Sequence, residues 1–160
     1  MTHHPASAGP AAQPEFAGGL DLAALPEAGF GFPGPLRDRL VAAVLDGSKT
    51  ATTGVAAAYE HEGEALPEPG QRSVVVDSDG RPVAVIEITE VRVVPLREVD
   101  LAHALDEGEG DESVAAWRRG HEDFWHGPEM RAAMDDPQFT VDDDTPVVLE
   151  RFRLIADLRG

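Results

Sequence analysis

The chain has no cysteine and no long apolar run, and these absences exclude several classes of protein. Without cysteine, neither a disulfide framework nor a thiolate metal site is possible. No apolar stretch approaches the roughly 20 residues that a membrane-spanning helix needs. The N-terminus lacks the basic start and apolar stretch of a secretory signal. The sequence therefore predicts a cytoplasmic protein that does not bind membranes.

Positive charge is also scarce, because 13 lysines and arginines stand against 30 aspartates and glutamates, for a formal net charge of −17. Non-specific binding to nucleic acid depends on basic side chains that neutralise phosphates. The composition thus argues against tight binding to long RNA, although it permits a local basic cleft.

The length of 160 residues is that of one domain with a core of its own. Residues 1–20 are rich in Ala, Pro and Gly and contain few large apolar side chains. Such a segment buries too little surface to order itself. We predict a flexible N-terminal tail over 1–20 and a single domain over 21–160.

The only lysine, Lys49, stands among hydroxyl side chains in the segment Gly-Ser-Lys-Thr-Ala-Thr-Thr, residues 47–53. Since the twelve other basic residues are arginines, a lysine here suggests chemistry that arginine cannot supply. A desolvated lysine can lose its proton and act as a base or nucleophile, and a lysine can activate a neighbouring hydroxyl. The alternative is a solvated lysine that interacts with the carbonyls at the end of the preceding helix.

Hydrophobic periodicity predicts helices and strands in an alternating order. Pro35 and Gly47 mark the start and end of the first helix, and Asp79-Gly80 marks a hairpin turn. The predicted elements are a helix over 35–46, a loop over 54–72, a hairpin over 73–89, a helix over 113–125 and a strand over 146–155 that contains a bulge. This order predicts an α+β fold with mainly antiparallel pairing.

Several separate segments resemble the ASCH domain family, and they follow the family's order along the chain. They are Gly-Ser-Lys-Thr-Ala-Thr at 47–52, the glutamate-rich turn at 106–111, Trp-Arg-x-x-His at 117–121 and Val-Leu-Glu-Arg-Phe at 148–152. The resemblance covers about residues 28–156. It implies a fold similar to the RNA-binding PUA domain, namely a small mixed or antiparallel β-barrel flanked by helices.

The resemblance also implies a catalytic site. Some bacterial members are amidohydrolases that remove the acetyl group from N4-acetylcytidine with a lysine, a threonine and a glutamate. These match Lys49 as base, Thr52 as nucleophile and Glu107 as the group that orients the amine or handles protons. The predicted substrate-binding residues are Thr50, Tyr59, Trp117, Arg118 and His121. Hydrolysis of an amide similar to that of N4-acetylcytidine is therefore the first predicted function.

The same resemblance leaves two other functions open. One member is described as a ribonuclease; there a charged Lys49 would hold the phosphate, and Tyr59 or His121 would move protons. Other members are treated as non-catalytic RNA-binding modules. The predicted partner is a nucleoside or single-stranded RNA, and the sequence identifies no protein partner.

No cofactor and no metal site is predicted, except that the ribonuclease function would allow a divalent cation. The acidic run over 106–112 does not match the EF-hand pattern, and the segment over 121–126 is not a His-Glu-x-x-His motif.

Overall fold

The computed structural model describes residues 16–17 and 20–159 of the chain. Its strands are Phe16–Ala17 (β1), Leu20–Asp21 (β2), Glu27–Ala28 (β3), Ala51–Val55 (β4), Arg72–Val76 (β5), Pro82–Pro95 (β6) and Pro146–Asp157 (β7). Its α-helices are Pro35–Asp46 (α1), Ala56–Glu62 (α2), Leu101–Asp106 (α3), Val114–Trp125 (α4) and Pro128–Ala133 (α5). Of the predicted tail over 1–20, only residues 16–17 and 20 are described, in the β1–β2 pair; the rest lies outside the described residues.

A five-stranded mixed sheet in the order β3-β5-β6-β7-β4 forms the centre of the fold. β3 pairs parallel with β5, and the other neighbours pair antiparallel. The α+β prediction, with a mixed sheet and flanking helices, is confirmed. Among the described strands the sheet is open rather than closed into a barrel, because β3 and β4 are its two edges.

The long pair of β6 and β7 bends at two irregularities in its register. Val85 pairs with Ala156 and Ile86 with Leu154, so β7 has one extra residue between them. A second shift between Ile88 and Glu90 leaves an extra residue on β6. An extra residue bends and twists its strand, and the bulge predicted in the last strand is therefore confirmed.

The helices predicted over 35–46 and 113–125 are confirmed as α1 and α4. The loop predicted over 54–72 is wrong in its first part, where α2 spans Ala56–Glu62. Three alanines give its start high helix propensity, and Gly63 ends it in the left-handed conformation with φ 68°. Seven residues are too few for the apolar periodicity on which the prediction relied.

The two larger apolar clusters pack the helices against the sheet. One gathers around Trp117, Trp125 and Leu96, and the other contains Phe30 and Val44. Both clusters include β6 or β7 residues, so the central strand pair anchors the helices. In the part of the chain that the structure describes, no helix has the length and apolar character to cross a membrane.

Candidate active site

Direct backbone packing brings the segment after α1 against the segment after α3. Gly47 ends α1 with φ 87°, and the amide of Thr50 donates to the Asp106 carbonyl at 2.8 Å. Gly108 has φ 67°, and a Cβ atom there would lie 2.4 Å from the Ser48 carbonyl oxygen. Only glycine fits this approach, and it places Lys49 next to Glu107.

The Lys49 side chain is fully buried and surrounded by oxygen atoms. Its Nζ donates to the carbonyls of Ala51 at 2.8 Å and Glu107 at 3.2 Å. Nζ also lies 3.6 Å from Glu107 Oε1 and 3.7 Å from Glu109 Oε2. Two carbonyls and two carboxylates thus face the Lys49 amine.

The Glu107 carboxylate is fully buried and receives donors on both oxygens. Oε2 accepts hydrogen bonds from Thr53 Oγ1 and Trp117 Nε1, each at 2.7 Å, and lies 3.3 Å from His103 Nε2. Oε1 lies 3.1 Å from His121 Nε2. A buried carboxylate with this many donors is held in one orientation.

The charge state of Glu107 follows from its surroundings. Burial acts to raise the pKa of Glu107, but neighbouring positive charges, those of His121 and Lys49 among them, hold this pKa well below its usual range. Glu107 is therefore a carboxylate in the folded protein at neutral pH.

His121 is fixed by the aromatic face of α4. It stacks on Trp117 with ring centroids 4.0 Å apart and meets Trp125 edge-on at 5.4 Å. Its Nδ1 lies 2.8 Å from the Trp117 carbonyl oxygen, while Nε2 faces Glu107 Oε1. Both neighbouring atoms, the Trp117 carbonyl oxygen and Glu107 Oε1, can accept a hydrogen bond from the ring.

Three of these side chains have the ligand types of a divalent-cation site. One ligand atom each from Glu107, Glu109 and His121 lies within 4.8 Å of the others, and mixed carboxylate and imidazole ligands suit ions such as Mn²⁺ and Zn²⁺. The Lys49 ammonium approaches the same two carboxylates at 3.6 and 3.7 Å. It therefore supplies positive charge beside two of the three side chains that could hold a cation.

A model of the ASCH domain family matches residues 29–156 of the chain. The chain belongs to the ASCH domain family. ASCH domains have a PUA-like fold, and PUA-like domains are a family of RNA-binding folds. The earlier identification from sequence motifs is thus confirmed.

Two solved structures are similar to this ASCH domain. Protein EF3133 from Enterococcus faecalis V583 is 29% identical, with a TM-score of 0.68 over 79% of this chain and 73% of that chain. An ASCH domain from Lactobacillus crispatus JV V101 is 30% identical, with a TM-score of 0.63 over 74% of this chain and 71% of that chain. No curated protein matches the sequence.

This buried cluster brings together Lys49, Glu107, Trp117 and His121 from the predicted set, whereas Thr52 lies elsewhere on β4. Successive side chains of a strand point to opposite faces. Thr53 faces Glu107, so Thr52 lies on the other face, opposite Glu150 in the β4–β7 register.

Tyr59 lies on the same face of β4 as Thr52. A Cβ atom on Gly54 would lie 3.4 Å from the Tyr59 ring, and the Tyr59 hydroxyl donates to Glu150 Oε2 at 2.9 Å. Burial and the Glu150 charge raise the pKa of Tyr59 well above its usual value. Tyr59 and Glu150 thus form a second buried polar pair beside Thr52.

The other two predicted substrate-binding residues make structural contacts. Arg118 pairs with Glu122 and Asp143, each at 2.6 Å, at a partly exposed position on α4. The Thr50 hydroxyl lies 3.4 Å from the Asp106 carbonyl oxygen. These contacts tie α4 and the start of β4 to their neighbours.

Three residues of the cluster were not predicted from the sequence: Thr53, His103 and Glu109. His103 and Glu107 are four residues apart, a spacing that places side chains together on a helix. This spacing could have identified His103 as a neighbour of Glu107 from the sequence. Alternation along β4 separates Thr53 from Thr52, but only the structure reveals which of them faces the glutamate.

Proposed function

We propose that this protein is a hydrolase that removes an acyl group from the exocyclic amine of a nucleoside, with N4-acetylcytidine as the specific candidate substrate. The observation that carries the proposal is the buried contact between Lys49 Nζ and Glu107 Oε1, 3.6 Å apart, in a member of the ASCH family. Lysine and glutamate are two of the three residues that this chemistry uses in related proteins.

Amide hydrolysis requires a nucleophile, a group that relays its proton and a positive charge near the carbonyl oxygen. In the proposed mechanism Lys49 is not the base that the family resemblance implies, because two carboxylates lie next to its amine. Its ammonium instead stabilises the negative charge that develops on this oxygen. The Glu107 carboxylate takes the proton of the nucleophile and gives it to the leaving nitrogen. The acyl C–N bond breaks as the carbonyl carbon gains the oxygen of the nucleophile.

The proposed nucleophile is a water molecule, because Thr52 lies on the face of β4 that points away from Glu107. The Thr52 hydroxyl, which the family motif supplies, is the alternative. Attack by Thr52 would form an ester that water then hydrolyses. Thr52→Val removes the hydroxyl and keeps the shape of the side chain. Loss of all turnover in this variant would identify Thr52 as the nucleophile, and retained turnover would identify water.

The test is incubation of the purified protein with N4-acetylcytidine while chromatography follows the release of cytidine. We expect turnover by the wild type and a loss of about 100-fold or more in Glu107→Gln, which cannot relay a proton. Glu112→Gln is the matched control, because Glu112 is an exposed carboxylate in the same loop. Lack of wild-type turnover would refute the proposal, and binding without turnover would identify a nucleoside-binding module.

A second function, metal-dependent hydrolysis of single-stranded RNA, is favoured by the grouping of Glu107, Glu109 and His121. The position of the Lys49 ammonium beside both carboxylates favours the first function. Cleavage of a labelled single-stranded RNA that requires Mg²⁺ or Mn²⁺ and is lost in Glu109→Gln would reverse this preference.

A further inference from the structure

The two oxygens of Glu107 have different surroundings. Oε2 receives Thr53 Oγ1 and Trp117 Nε1, both at 2.7 Å, and lies 3.3 Å from His103 Nε2. Oε1 instead faces His121 Nε2 at 3.1 Å and Lys49 Nζ at 3.6 Å. The two oxygens of the carboxylate therefore have separate sets of neighbours.

Counting the hydrogen atoms fixes the tautomer of His103. The Thr53 hydroxyl has one hydrogen, which it donates to Glu107 Oε2. Thr53 Oγ1 also lies 2.7 Å from His103 Nε2. Since the hydroxyl hydrogen is already used, this second bond requires that His103 Nε2 carries a hydrogen and donates it to Thr53.

The other ring nitrogen of His103 supports the same assignment. His103 is fully buried, and its Nδ1 is one of the few buried polar atoms for which the described residues provide no hydrogen-bond partner. A hydrogen on Nδ1 would bury an N–H group without an acceptor, which is unfavourable. His103 therefore donates through Nε2.

We infer that Thr53 and His103 are positioning residues: His103 Nε2 holds the Thr53 hydroxyl, and this hydroxyl holds Glu107 Oε2, so that Oε1 stays turned toward His121 and Lys49. This inference rests on the proposed function, in which Glu107 relays a proton. Oε1 is next to Lys49, so the proton relay and the stabilising ammonium face the same side of the carboxylate. Without Thr53, His103 Nε2 and Glu107 Oε2 would each lose a partner, and the carboxylate could rotate.

The first test needs no enzymatic activity. Long-range ¹H–¹⁵N spectra of histidine-labelled protein show which ring nitrogen carries hydrogen, and His103→Gln identifies the signals of His103. We expect hydrogen on Nε2 alone at neutral pH. Hydrogen on Nδ1, whether alone or on both nitrogens, would overturn the inference. Because this outcome is independent of any substrate, it is separate from a failure of the proposed function.

The second test compares Thr53→Val, which removes the hydroxyl, with Thr53→Ser, which keeps it. In the N4-acetylcytidine assay we expect kcat of Thr53→Val to fall about 100-fold, as expected for a misplaced catalytic group, with KM little changed. Thr53→Ser should retain most of the wild-type kcat. Equal kcat values for the wild type and Thr53→Val would overturn the inference, and thermal melting of both variants would show that they are folded.

Discussion

Replacement of Gly108 by alanine tests the backbone contact on which the whole site depends. A non-glycine residue at φ 67° costs about 1–2 kcal/mol. The new Cβ would lie 2.4 Å from the Ser48 carbonyl oxygen and 2.8 Å from the Lys49 amide nitrogen. Neither is the end of a flexible side chain, so the two segments must separate, at a cost of about 1–3 kcal/mol. We expect a total loss of about 2–5 kcal/mol of unfolding free energy.

Gly110→Ala is the matched control, because Gly110 lies in the same loop with φ 85° and no atom lies within 4 Å of its built Cβ. Only the conformational cost of about 1–2 kcal/mol applies there. Urea unfolding followed by tryptophan fluorescence measures both variants against the wild type. A Gly108→Ala variant as stable as Gly110→Ala would refute the close packing of this loop on residues 48–49.

Three further predictions concern the buried titratable groups. Because its pKa is raised, Tyr59 contributes stability that is present below its unfolded value of about 10 and lost as pH rises toward its folded pKa. Because Tyr59 is the only tyrosine, the tyrosinate absorbance of the folded protein measures its ionisation. Ionisation of Tyr59 in the folded protein at its ordinary pKa would contradict this prediction. Glu107 has a lowered pKa, so its stability contribution is present above about pH 4.3 and lost as pH falls through its folded pKa. Acid unfolding of Glu107→Gln should show a weaker pH dependence than that of the wild type. Lys49→Ala removes the ammonium next to two carboxylates, so this variant should bind Mn²⁺ more tightly than the wild type in calorimetry. Equal affinities would show that Lys49 does not compete with a cation.

Local sequence patterns were sufficient to predict the helices that have long apolar stripes. They could not predict which distant segments of the chain contact each other. The stripe of α1 and the aromatic face of α4 identify these helices, whereas α2 is too short for a stripe. The site joins Lys49 to Glu107 across 58 positions of sequence. No local spacing specifies that contact, and the family resemblance supplied it.

The choice between Thr52 and Thr53 illustrates a different limit. Both threonines lie on β4, and the alternation of side chains along a strand requires the two hydroxyls to face opposite sides. Which one faces Glu107 depends on the pairing of β4 with β7, where Thr52 is opposite Glu150 and Thr53 opposite Leu149. The sequence motif therefore supplies both threonines, and the register of β4 on β7 determines which of them contacts the glutamate.

The geometry also explains why the one lysine of the chain occurs at position 49. Its compact ammonium donates to the carbonyls of Ala51 and Glu107 within one buried space. Arginine presents a planar fork of five N–H donors, which these convergent carbonyls cannot accommodate. The residue type at 49 thus follows from the packing around it as well as from the chemistry that we propose.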